Sequence, residues 1–243
     1  SYNYKKGRIN IKMNNFVSAI IVSAGNSTRM GTDKQFINIC GKPAIIHTIK
    51  AFESSSIINE IVIVCKKDHL EDMVDIINKN NIKKVSVITP GGNSRQESVS
   101  LGIEKTSKLA THFCIHDGAR ILVTPDIISR VVEKSFEFKC AAVGVPVKDT
   151  IKVIDMNGFI ESTPNRSSLW AVQTPQVFER KLYMNALENA KKLKQNYTDD
   201  CQLIENNGGK VYMLKGDYTN IKLTTVDDVE YAKTMFENRG VNR

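Results

Sequence analysis

The sequence has no apolar run that approaches the ~20 residues needed to span a bilayer, and no charged-then-apolar leader ahead of an A-x-A cleavage site. Its five cysteines are scattered, odd in number and without a C-x-x-C pair, which argues against a disulfide framework or a structural zinc site. These absences exclude a membrane protein and a disulfide-rich secreted domain. They predict a cytoplasmic protein with no membrane partner.

Basic residues are in excess, with 34 Lys and Arg against 26 Asp and Glu and a net charge of +8. Aromatic residues make up only 7% of the chain, and the sequence has no basic helix, aromatic platform or nucleic-acid motif. Part of the excess lies in residues 1–15, which we expect to form a polar leader before one domain, 16–243. We therefore expect no nucleic-acid partner and interpret the remaining charge as a basic active site for anionic substrates.

Short apolar runs alternate with segments of helical period in a chain of ordinary globular composition, 41% hydrophobic and 25% charged. Strands are predicted at 17–22, 61–65, 85–89, 113–116, 141–145 and 211–214. Helices are predicted at 43–52, 70–78, 95–108, 125–138 and 180–194, with a short one begun by Thr198 and a last one from about Val226. This order predicts an α/β fold with a single doubly wound, mostly parallel, Rossmann-like sheet and helices on both faces.

The alternation of strands and helices stops after Pro146, where short alternating runs flank a D-M-N-G turn at 155–158. An N-G dipeptide between such runs is a strong signal for a β-hairpin. We predict that residues 147–175 form a projecting β-arm. Because a projecting hairpin would expose an apolar edge, we expect the arm to pack on another subunit in a homodimer.

Small residues follow the first strand, at the sheet edge where open α/β folds bind their ligands. Ser23, Ala24 and Gly25 leave backbone N–H groups uncovered, and two cations, Arg29 and Lys34, come within a dozen residues. This pattern predicts an anionic ligand, most plausibly the phosphates of a nucleotide. The loop has neither the G-x-G-x-x-G spacing nor a G-K-[S/T] triplet, so it indicates neither a Rossmann dehydrogenase nor a P-loop NTPase.

A second loop, P-G-G-N-S-R-Q-E-S-V at 90–99, follows the strand that ends at residue 89. As a turn into a helix it needs only a cap, for which Asn93 or Ser94 with Glu97 would serve. The functional interpretation adds that Gly91 and Gly92 let a nucleotide base approach the backbone, while Ser98 hydrogen-bonds the base. A small pyrimidine suits such a tight pocket.

A third motif, H-D-G-A-R at 116–120, ends another apolar run. An aspartate in this position is often only a cap. At the ligand-binding edge, however, Asp117 also fits Mg²⁺ held by one or two protein oxygens together with substrate phosphates. His116 is interpreted as structural, because a phosphate monoester nucleophile is already ionised near neutral pH and needs no general base.

These motifs resemble a known family. The G-x-[S/G]-x-R-M loop followed by K-Q is typical of nucleotidyltransferases that join a nucleoside triphosphate to a sugar phosphate. With P-V-K-D-T at 146–150, N-R-S-S-L-W-A-V-Q-T-P-Q at 165–176, T-D-D at 198–200 and N-I-K-L-T at 220–224, the chain is similar to the 2-C-methyl-D-erythritol 4-phosphate cytidylyltransferases from residue 17 to about 237. The resemblance implies transfer of CMP from CTP to 2-C-methyl-D-erythritol 4-phosphate, which gives 4-diphosphocytidyl-2-C-methyl-D-erythritol and pyrophosphate for isoprenoid precursor synthesis.

The resemblance also implies roles for individual residues. Arg29 and Lys34 would contact the triphosphate and stabilise the transition state, as fixed cations do in nucleotidyl transfer. Asp117 would bind Mg²⁺, and Ala119 would lie near a nucleotide whose base is cytosine. For the sugar phosphate, the resemblance implies that Arg166 and Lys222 hold the incoming phosphate and that Arg120 lies near this second substrate. Thr150 would hold the polyol, and Thr198 would contribute across the dimer interface. Ile121 stands where the family usually has proline.

Two alternatives remain open. A ribitol-5-phosphate cytidylyltransferase would share the fold and the nucleotide, although N-R-S-S-L-W before Q-T-P-Q favours the methylerythritol substrate. A catalytically silent nucleotide-binding module would bind CTP without releasing pyrophosphate. The presence of both Arg29 and Lys34 argues against that second alternative.

Overall fold

The computed structural model describes residues 15–25 and 33–240. Within these ranges the strands are β1 Val17–Val22, β2 Asn38–Ile39, β3 Lys42–Pro43, β4 Glu60–Cys65, β5 Val85–Pro90, β6 His112–Asp117, β7 Cys140–Pro146, β8 Val153–Ile154, β9 Ile160–Ser162, β10 Trp170–Glu179 and β11 Tyr212–Lys215. The helices are α1 Ala44–Ser54, α2 Leu70–Lys79, α3 Arg95–Glu104, α4 Pro125–Phe138, α5 Arg180–Leu193, α6 Asp200–Asn206 and α7 Val226–Asn238. Short 3₁₀ turns lie at Lys67–His69 and Arg166–Ser168.

Seven strands form one sheet in the order β11-β7-β10-β6-β1-β4-β5. Strands β4, β1 and β6 are parallel neighbours, β5 is parallel to β4, and β11 is parallel to β7. Only β10 is antiparallel to the strands on either side of it. The predicted α/β class with a mostly parallel sheet is therefore confirmed, and β10 is a strand that the sequence analysis did not predict.

Helices cover both faces of the sheet, as the buried strands predict. Along β1, Ala19 and Ile21 join a core shared with α1, α2 and α4, whereas Ile20 points to the opposite core shared with α3, α5 and α6. This alternation follows from the two-residue period of a strand. Because helices cover both faces, a ligand cannot approach this part of the sheet from either face. The loops after β1, β5 and β6 come together at the carboxyl ends of the strands.

The predicted hairpin is present as β8 and β9, which pair antiparallel on their own. The Asp155 carboxylate accepts hydrogen bonds from the backbone N–H groups of Asn157 and Phe159, each at 2.9 Å, and so fixes the turn. Of the predicted arm, 147–175, the last residues from Trp170 onward belong to β10 and pair with β7 in the central sheet. The arm therefore consists of residues 147–169, and its packing on a second subunit stays a prediction.

All five cysteines are free thiols, and four of them are buried. Burial raises the pKa of Cys65 and of Cys140 to about 11, so both stay protonated near neutral pH. They are core residues and not nucleophiles. Within residues 15–25 and 33–240, none of the helices has both the length and the apolarity to cross a bilayer.

Candidate active site

A cavity of about 530 Å³ lies at the carboxyl ends of β1, β5 and β6. It brings together predicted residues from four separate segments of the chain: Ser23, Ala24, Gly25, Lys34, Gly91, Gly92, Ser98, Asp117, Ala119 and Lys222. Arg29, the other predicted catalytic cation, lies outside the described residues. The structure therefore brings these residues to one cavity, and their binding of a nucleotide stays a prediction.

The exit of β1 is held between its two neighbouring strands. The backbone N–H and the hydroxyl of Ser23 both donate to the carbonyl oxygen of Val64, at 2.7 and 2.9 Å. On the other side the backbone N–H of Gly118 donates to the carbonyl oxygen of Val22 at 2.8 Å. The start of the loop that follows β1 is thereby fixed to β4 and to Gly118, the residue after Asp117.

Gly91 and Ala24 approach each other closely in the cavity wall. A Cβ atom on Gly91 would lie 2.3 Å from the Cβ of Ala24 and 2.8 Å from the hydroxyl oxygen of Ser98. Both distances are shorter than atoms tolerate, so this position requires glycine. The two loops that were predicted to hold the nucleotide therefore touch each other directly.

Ser94 and Glu97 form the predicted start of α3. The Ser94 hydroxyl oxygen accepts the N–H of Glu97 at 3.0 Å, and the Glu97 carboxylate accepts the N–H of Asn93 at 2.7 Å. Ser98 braces the same loop, since its hydroxyl accepts from Gly92 N–H at 3.1 Å and donates to the Ser94 carbonyl oxygen at 2.9 Å. The predicted contact from Ser98 to the base stays a prediction, and only a lone pair of its oxygen is left for it.

Asp117, the last residue of β6, faces three cations. Its Oδ1 lies 3.2 Å from Nε of Arg95, and its Oδ2 lies 2.9 Å from Nζ of Lys222 and 4.0 Å from Nε of Arg120. Burial alone would raise the pKa of Asp117, but Arg95, Lys222 and Arg120 outweigh it and hold this pKa well below its usual range. The carboxylate is therefore ionised at any pH at which the protein works.

The sequence analysis did not identify Arg95, whose guanidinium contacts both Asp117 and Asp200. Its Nη1 lies 2.7 Å from Oδ2 of Asp200, so one guanidinium bridges two carboxylates. Burial would lower the pKa of Arg95, but the two carboxylates raise it, and the side chain stays charged. Both residues stand inside recognised motifs, and Arg95 directly follows the glycine loop, but no sequence signal joins two residues so far apart in the chain.

Arg120 and Lys222 reach the site because their backbones are tied together. The Arg120 guanidinium donates to the carbonyl oxygen of Asn220 at 2.9 Å, and Leu223 N–H donates to the carbonyl oxygen of Ala119 at 2.9 Å. Burial lowers the pKa of Arg120, with Asp117 opposing that shift. The H-D-G-A-R loop and the N-I-K-L-T segment thus form one basic wall.

His116 is held as a neutral ring behind this wall. The carbonyl oxygen of Arg120 can only accept, so Nε2 of His116 carries the ring proton and donates to it at 3.2 Å. In the neutral ring Nδ1 then accepts the hydroxyl proton of Thr174 at 3.0 Å, and Thr174 Oγ1 itself accepts the N–H of Asp117 at 3.0 Å. Complete burial lowers the pKa of His116 to about 3, which agrees with the predicted structural role.

Four predicted sugar-phosphate residues do not line the cavity, and Arg120 is one of them, although its guanidinium lies 4.0 Å from Asp117. Arg166, in the arm, donates to the Lys148 carbonyl oxygen at 2.6 Å, and Thr150 is exposed in the same arm. Thr198 lies before α6, where its hydroxyl donates to the Gln202 side chain at 3.1 Å. Arg166 and Thr150 lie in the projecting arm, so their predicted roles stay open within one chain.

The donor set around Asp117 fits magnesium only in one mode. Among the described residues, no group of three or more His, Cys, Asp and Glu side chains lies close enough together to hold a metal ion. The ionised carboxylate of Asp117 at the cavity wall matches the mode in which Mg²⁺ takes one or two protein oxygens and completes its shell with phosphates and water. The residues present fit that mode and no all-protein metal site.

A mostly parallel sheet whose edge carries a glycine-tight loop, a basic wall and one ionised aspartate defines an enzyme of nucleotide phosphate chemistry, a nucleotidyltransferase. The sequence profile of one such family matches residues 17–238. The chain belongs to this family, IspD, the 2-C-methyl-D-erythritol 4-phosphate cytidylyltransferases.

Relatives of the same name cover nearly the whole chain. A cytidylyltransferase from Caldanaerobacter subterraneus is 45% identical over 222 residues, which cover 89% of this chain and 97% of the relative. One from Clostridioides difficile is 44% identical over 220 residues, with 89% and 92% covered. The crystal structure of the 4-diphosphocytidyl-2C-methyl-D-erythritol synthase of Anaerococcus prevotii superposes with a TM-score of 0.83 at 28% identity, with 92% of this chain and 99% of that chain covered.

The family membership confirms the resemblance found in the sequence. The chain is a cytidylyltransferase that transfers CMP from CTP to 2-C-methyl-D-erythritol 4-phosphate in isoprenoid precursor synthesis. Neither the family match nor the relatives assign a task to any single residue. Those tasks depend on the geometry described above.

Proposed function

We propose that the cavity at the ends of β1, β5 and β6 carries out this reaction, with the base of CTP on Gly91 and Gly92 and the triphosphate directed to Lys34. One observation carries the proposal: three cations surround the ionised carboxylate of Asp117, in a cavity whose wall also contains the close contact of Gly91 with Ala24. A cavity of this charge favours phosphates, and the close backbone approach favours a flat, small base.

The proposed reaction is an in-line displacement at phosphorus. An oxygen of the 4-phosphate of the sugar attacks the α-phosphorus of CTP, a new P–O bond forms, and the bond from the α-phosphorus to the bridging oxygen breaks. Pyrophosphate leaves with the electron pair of that bond. The nucleophile is already anionic near neutral pH, so the protein supplies orientation and positive charge and no covalent intermediate.

We assign the cations of the site to the two substrates by their position in the chain. Lys34 and the predicted Arg29 follow the β1 exit and would contact the triphosphate. Arg120 and Lys222, on the other side of Asp117, would hold the incoming phosphate. Fixed cations in this arrangement stabilise the charge that spreads over the equatorial oxygens of the transition state.

We further propose that the reaction uses Mg²⁺. Asp117 would hold the ion through one carboxylate oxygen, with phosphate oxygens completing the shell, and the bound cation would neutralise charge on the departing pyrophosphate. The low pKa of Asp117 supports this role, because a ligand oxygen must be deprotonated. Lys222 also contacts this carboxylate, so it would share Asp117 with the ion.

The arm supports a homodimer. Ile154, Phe159 and Ile160 expose 61%, 72% and 63% of their surfaces around the β8–β9 hairpin. Apolar side chains exposed together in this way mark a protein contact. A crossing arm would carry Arg166 and Thr150 to the other subunit, where we propose that they hold the phosphate and the polyol, with Thr198 contributing at the interface.

We also propose that the enzyme works in the cytoplasm and without a nucleic-acid partner. Five free thiols suit a reducing compartment. The positive charge that would bind nucleic acid is accounted for in part by the basic wall of the cavity.

The experiment that tests the function measures pyrophosphate release from each of the four nucleoside triphosphates with three acceptors: 2-C-methyl-D-erythritol 4-phosphate, ribitol 5-phosphate and erythritol 4-phosphate. We expect turnover with CTP and the methylerythritol acceptor. Preference for ribitol 5-phosphate would favour the alternative activity, and tight CTP binding without pyrophosphate release would indicate a silent binding module. Removal of Mg²⁺ by a chelator, followed by its return, tests the metal in the same assay.

A further inference from the structure

Asp200, at the start of α6, is a buried carboxylate with every oxygen in use. Its exposed fraction is 3%. Oδ2 accepts from Nη1 of Arg95 at 2.7 Å, and Oδ1 accepts from the Tyr183 hydroxyl at 2.6 Å. Its backbone N–H donates to the Gln176 side chain at 3.2 Å. A buried charge with this many partners is held in one place.

Tyr183 makes this arrangement rigid from the core side. It is fully buried, and its ring contacts Phe113 and Phe178 at centroid distances of 5.9 and 5.4 Å. Burial raises the pKa of Tyr183 well above its ordinary value, with Asp200 adding to the shift, so the hydroxyl keeps its proton and donates it. The direction of the Asp200 carboxylate is therefore set by the hydrophobic core.

The guanidinium of Arg95 is in turn oriented by two carboxylates. Nη1 makes the shorter contact, 2.7 Å to Asp200, and Nε makes the longer one, 3.2 Å to Asp117. Two contacts on different nitrogens of a planar group fix both its position and its plane. Because Asp200 is the closer partner, Asp117 is not fully neutralised by Arg95 and remains available to Lys222 and to the substrates.

We propose that Asp200 is a positioning residue for nucleotidyl transfer: by holding Arg95, it fixes the orientation and the unshared charge of the Asp117 carboxylate at the cavity wall. The inference rests on the role proposed above for Asp117. Without the Asp200 charge, the guanidinium of Arg95 would pair with Asp117 alone. The Asp117 carboxylate would then bind Lys222 and the reacting groups less strongly.

The test compares kcat and KM of Asp200→Asn, Arg95→Gln and the double variant. For Asp200→Asn we expect kcat to fall about 10- to 100-fold, the size typical for groups that orient a site residue, with a smaller change in KM for CTP. If Asp200 acts through Arg95, the double variant loses no more than the worse single variant. Losses that multiply in the double variant would contradict the proposal, as would a folded Asp200→Asn enzyme with kcat within about twofold of the parent.

A matched control is Asp199→Asn, one residue earlier on the same helix start. Asp199 accepts from the N–H of Gln202 at 2.9 Å and from the Gln176 side chain at 3.0 Å, and no contact to Arg95 is present. The Asp199→Asn substitution removes one negative charge from the same helix start as Asp200→Asn. We expect kcat to stay within about threefold of the parent, since asparagine also caps helices. A loss equal to that of Asp200→Asn would mean that the helix start, and not the Arg95 contact, causes the effect.

A milder variant keeps the test decisive if Asp200→Asn fails to fold. Tyr183→Phe removes one hydrogen bond to Asp200 and keeps the ring in the core; we expect a several-fold lower kcat that disappears in the Arg95→Gln background. Urea unfolding of each variant separates stability from turnover.

The Asp117→Asn variant is measured in parallel to separate this inference from the proposed function. If Asp117→Asn stays active, the proposed function of the cavity fails. An inactive Asp117→Asn beside a fully active Asp200→Asn overturns only this inference.

Discussion

The ammonium group of Lys222 lies 2.9 Å from Oδ2 of Asp117, closer than either arginine that faces the same carboxylate. Lys222 is also partly exposed, with 40% of its side chain accessible. Because Lys222 lines the cavity, its ammonium group has further N–H groups that could donate to a substrate phosphate. This contact joins the C-terminal segment of the chain to the centre of the site.

In the proposed role of Lys222, replacement by alanine would remove a cation from the reacting phosphates. We expect kcat/KM for the sugar phosphate to fall by about two orders of magnitude, as loss of one transition-state donor typically does. Lys222→Arg should recover part of that loss, because the charge returns with a different shape. Steady-state kinetics with varied sugar phosphate measure both, with Lys210→Ala as the control at a lysine that does not line the cavity. Equal activity of Lys222→Ala and the control would remove Lys222 from the site.

Gly91→Ala tests the contact between the two nucleotide loops. The new methyl group would lie 2.3 Å from the Cβ of Ala24, so one of the two backbones must move. We expect KM for CTP to rise at least about tenfold, since displacement of a positioning group by a fraction of an ångström is costly. Gly92→Ala should cost less, because its methyl group meets only the side chain of Glu97, which can move. The opposite order would contradict the assignment of Gly91 to the base-binding wall.

The sequence predicted the parts of this site that local patterns encode. The buried parallel strands β1, β4, β6 and β7 and the residues at their carboxyl ends follow from short-range hydrophobic patterns, and the position of Asp117 at the ligand-binding end follows from parallel topology. The Ser94 cap was one of two candidates, and the structure selects it. These features depend on neighbours within a few residues, so a single sequence suffices for them.

Strand β10 and the Arg95–Asp200 pair could not be found in this way. β10 reads W-A-V-Q-T-P-Q-V-F-E, where polar residues and Pro175 break the apolar run and the register with β7 shifts between Val172 and Gln176. Arg95 and Asp200 each stand in the first turn of a helix, where charged residues are ordinary. Only the folded chain brings those two helix starts together.

His116 predicts a specific response of stability to acid. Its pKa is about 3 in the folded protein and ~6.5 in the unfolded chain, so below pH ~6.5 the unfolded state binds a proton that the native state does not. The free energy of unfolding should therefore fall as the pH drops from ~6.5 toward 3, and this one group accounts for about 2 kcal/mol by pH 5. Its contribution is absent above pH ~6.5.

Urea unfolding of the parent and of His116→Gln at pH 7.5 and pH 5 measures that contribution. Glutamine offers an acceptor to Thr174 and a donor to the Arg120 carbonyl oxygen but does not titrate. We expect the variant to lose about 2 kcal/mol less than the parent between the two pH values, whatever its stability at pH 7.5. His47 and His112, whose pKa values burial also lowers, titrate in both proteins and cancel in the comparison. Equal losses would mean that His116 is protonated in the folded protein.

A mixture of two inactive variants tests the proposed crossing of the arm. Arg166→Ala and Lys222→Ala should each be weakly active alone, since every site then lacks one phosphate-binding cation. In a mixed dimer with crossed arms, one site combines both defects, and the other combines an intact Lys222 with an intact Arg166 from the partner. After random re-association of equal amounts, about one quarter of all sites should be restored.

The same mixture distinguishes a crossing arm from an arm that serves its own chain. Without crossing, every site in the mixed dimer keeps one defect and mixing restores no activity. Phe159→Asp supplies the control, because a charge on this exposed apolar side chain should weaken the arm contact and shift the protein from dimer to monomer in sedimentation velocity runs. Added to both inactive variants, it should also abolish the restored activity. Restoration that persists in the monomer would contradict the crossed arm as its source, because a monomer has only its own Arg166 and its own Lys222 and one of the two is replaced in every chain.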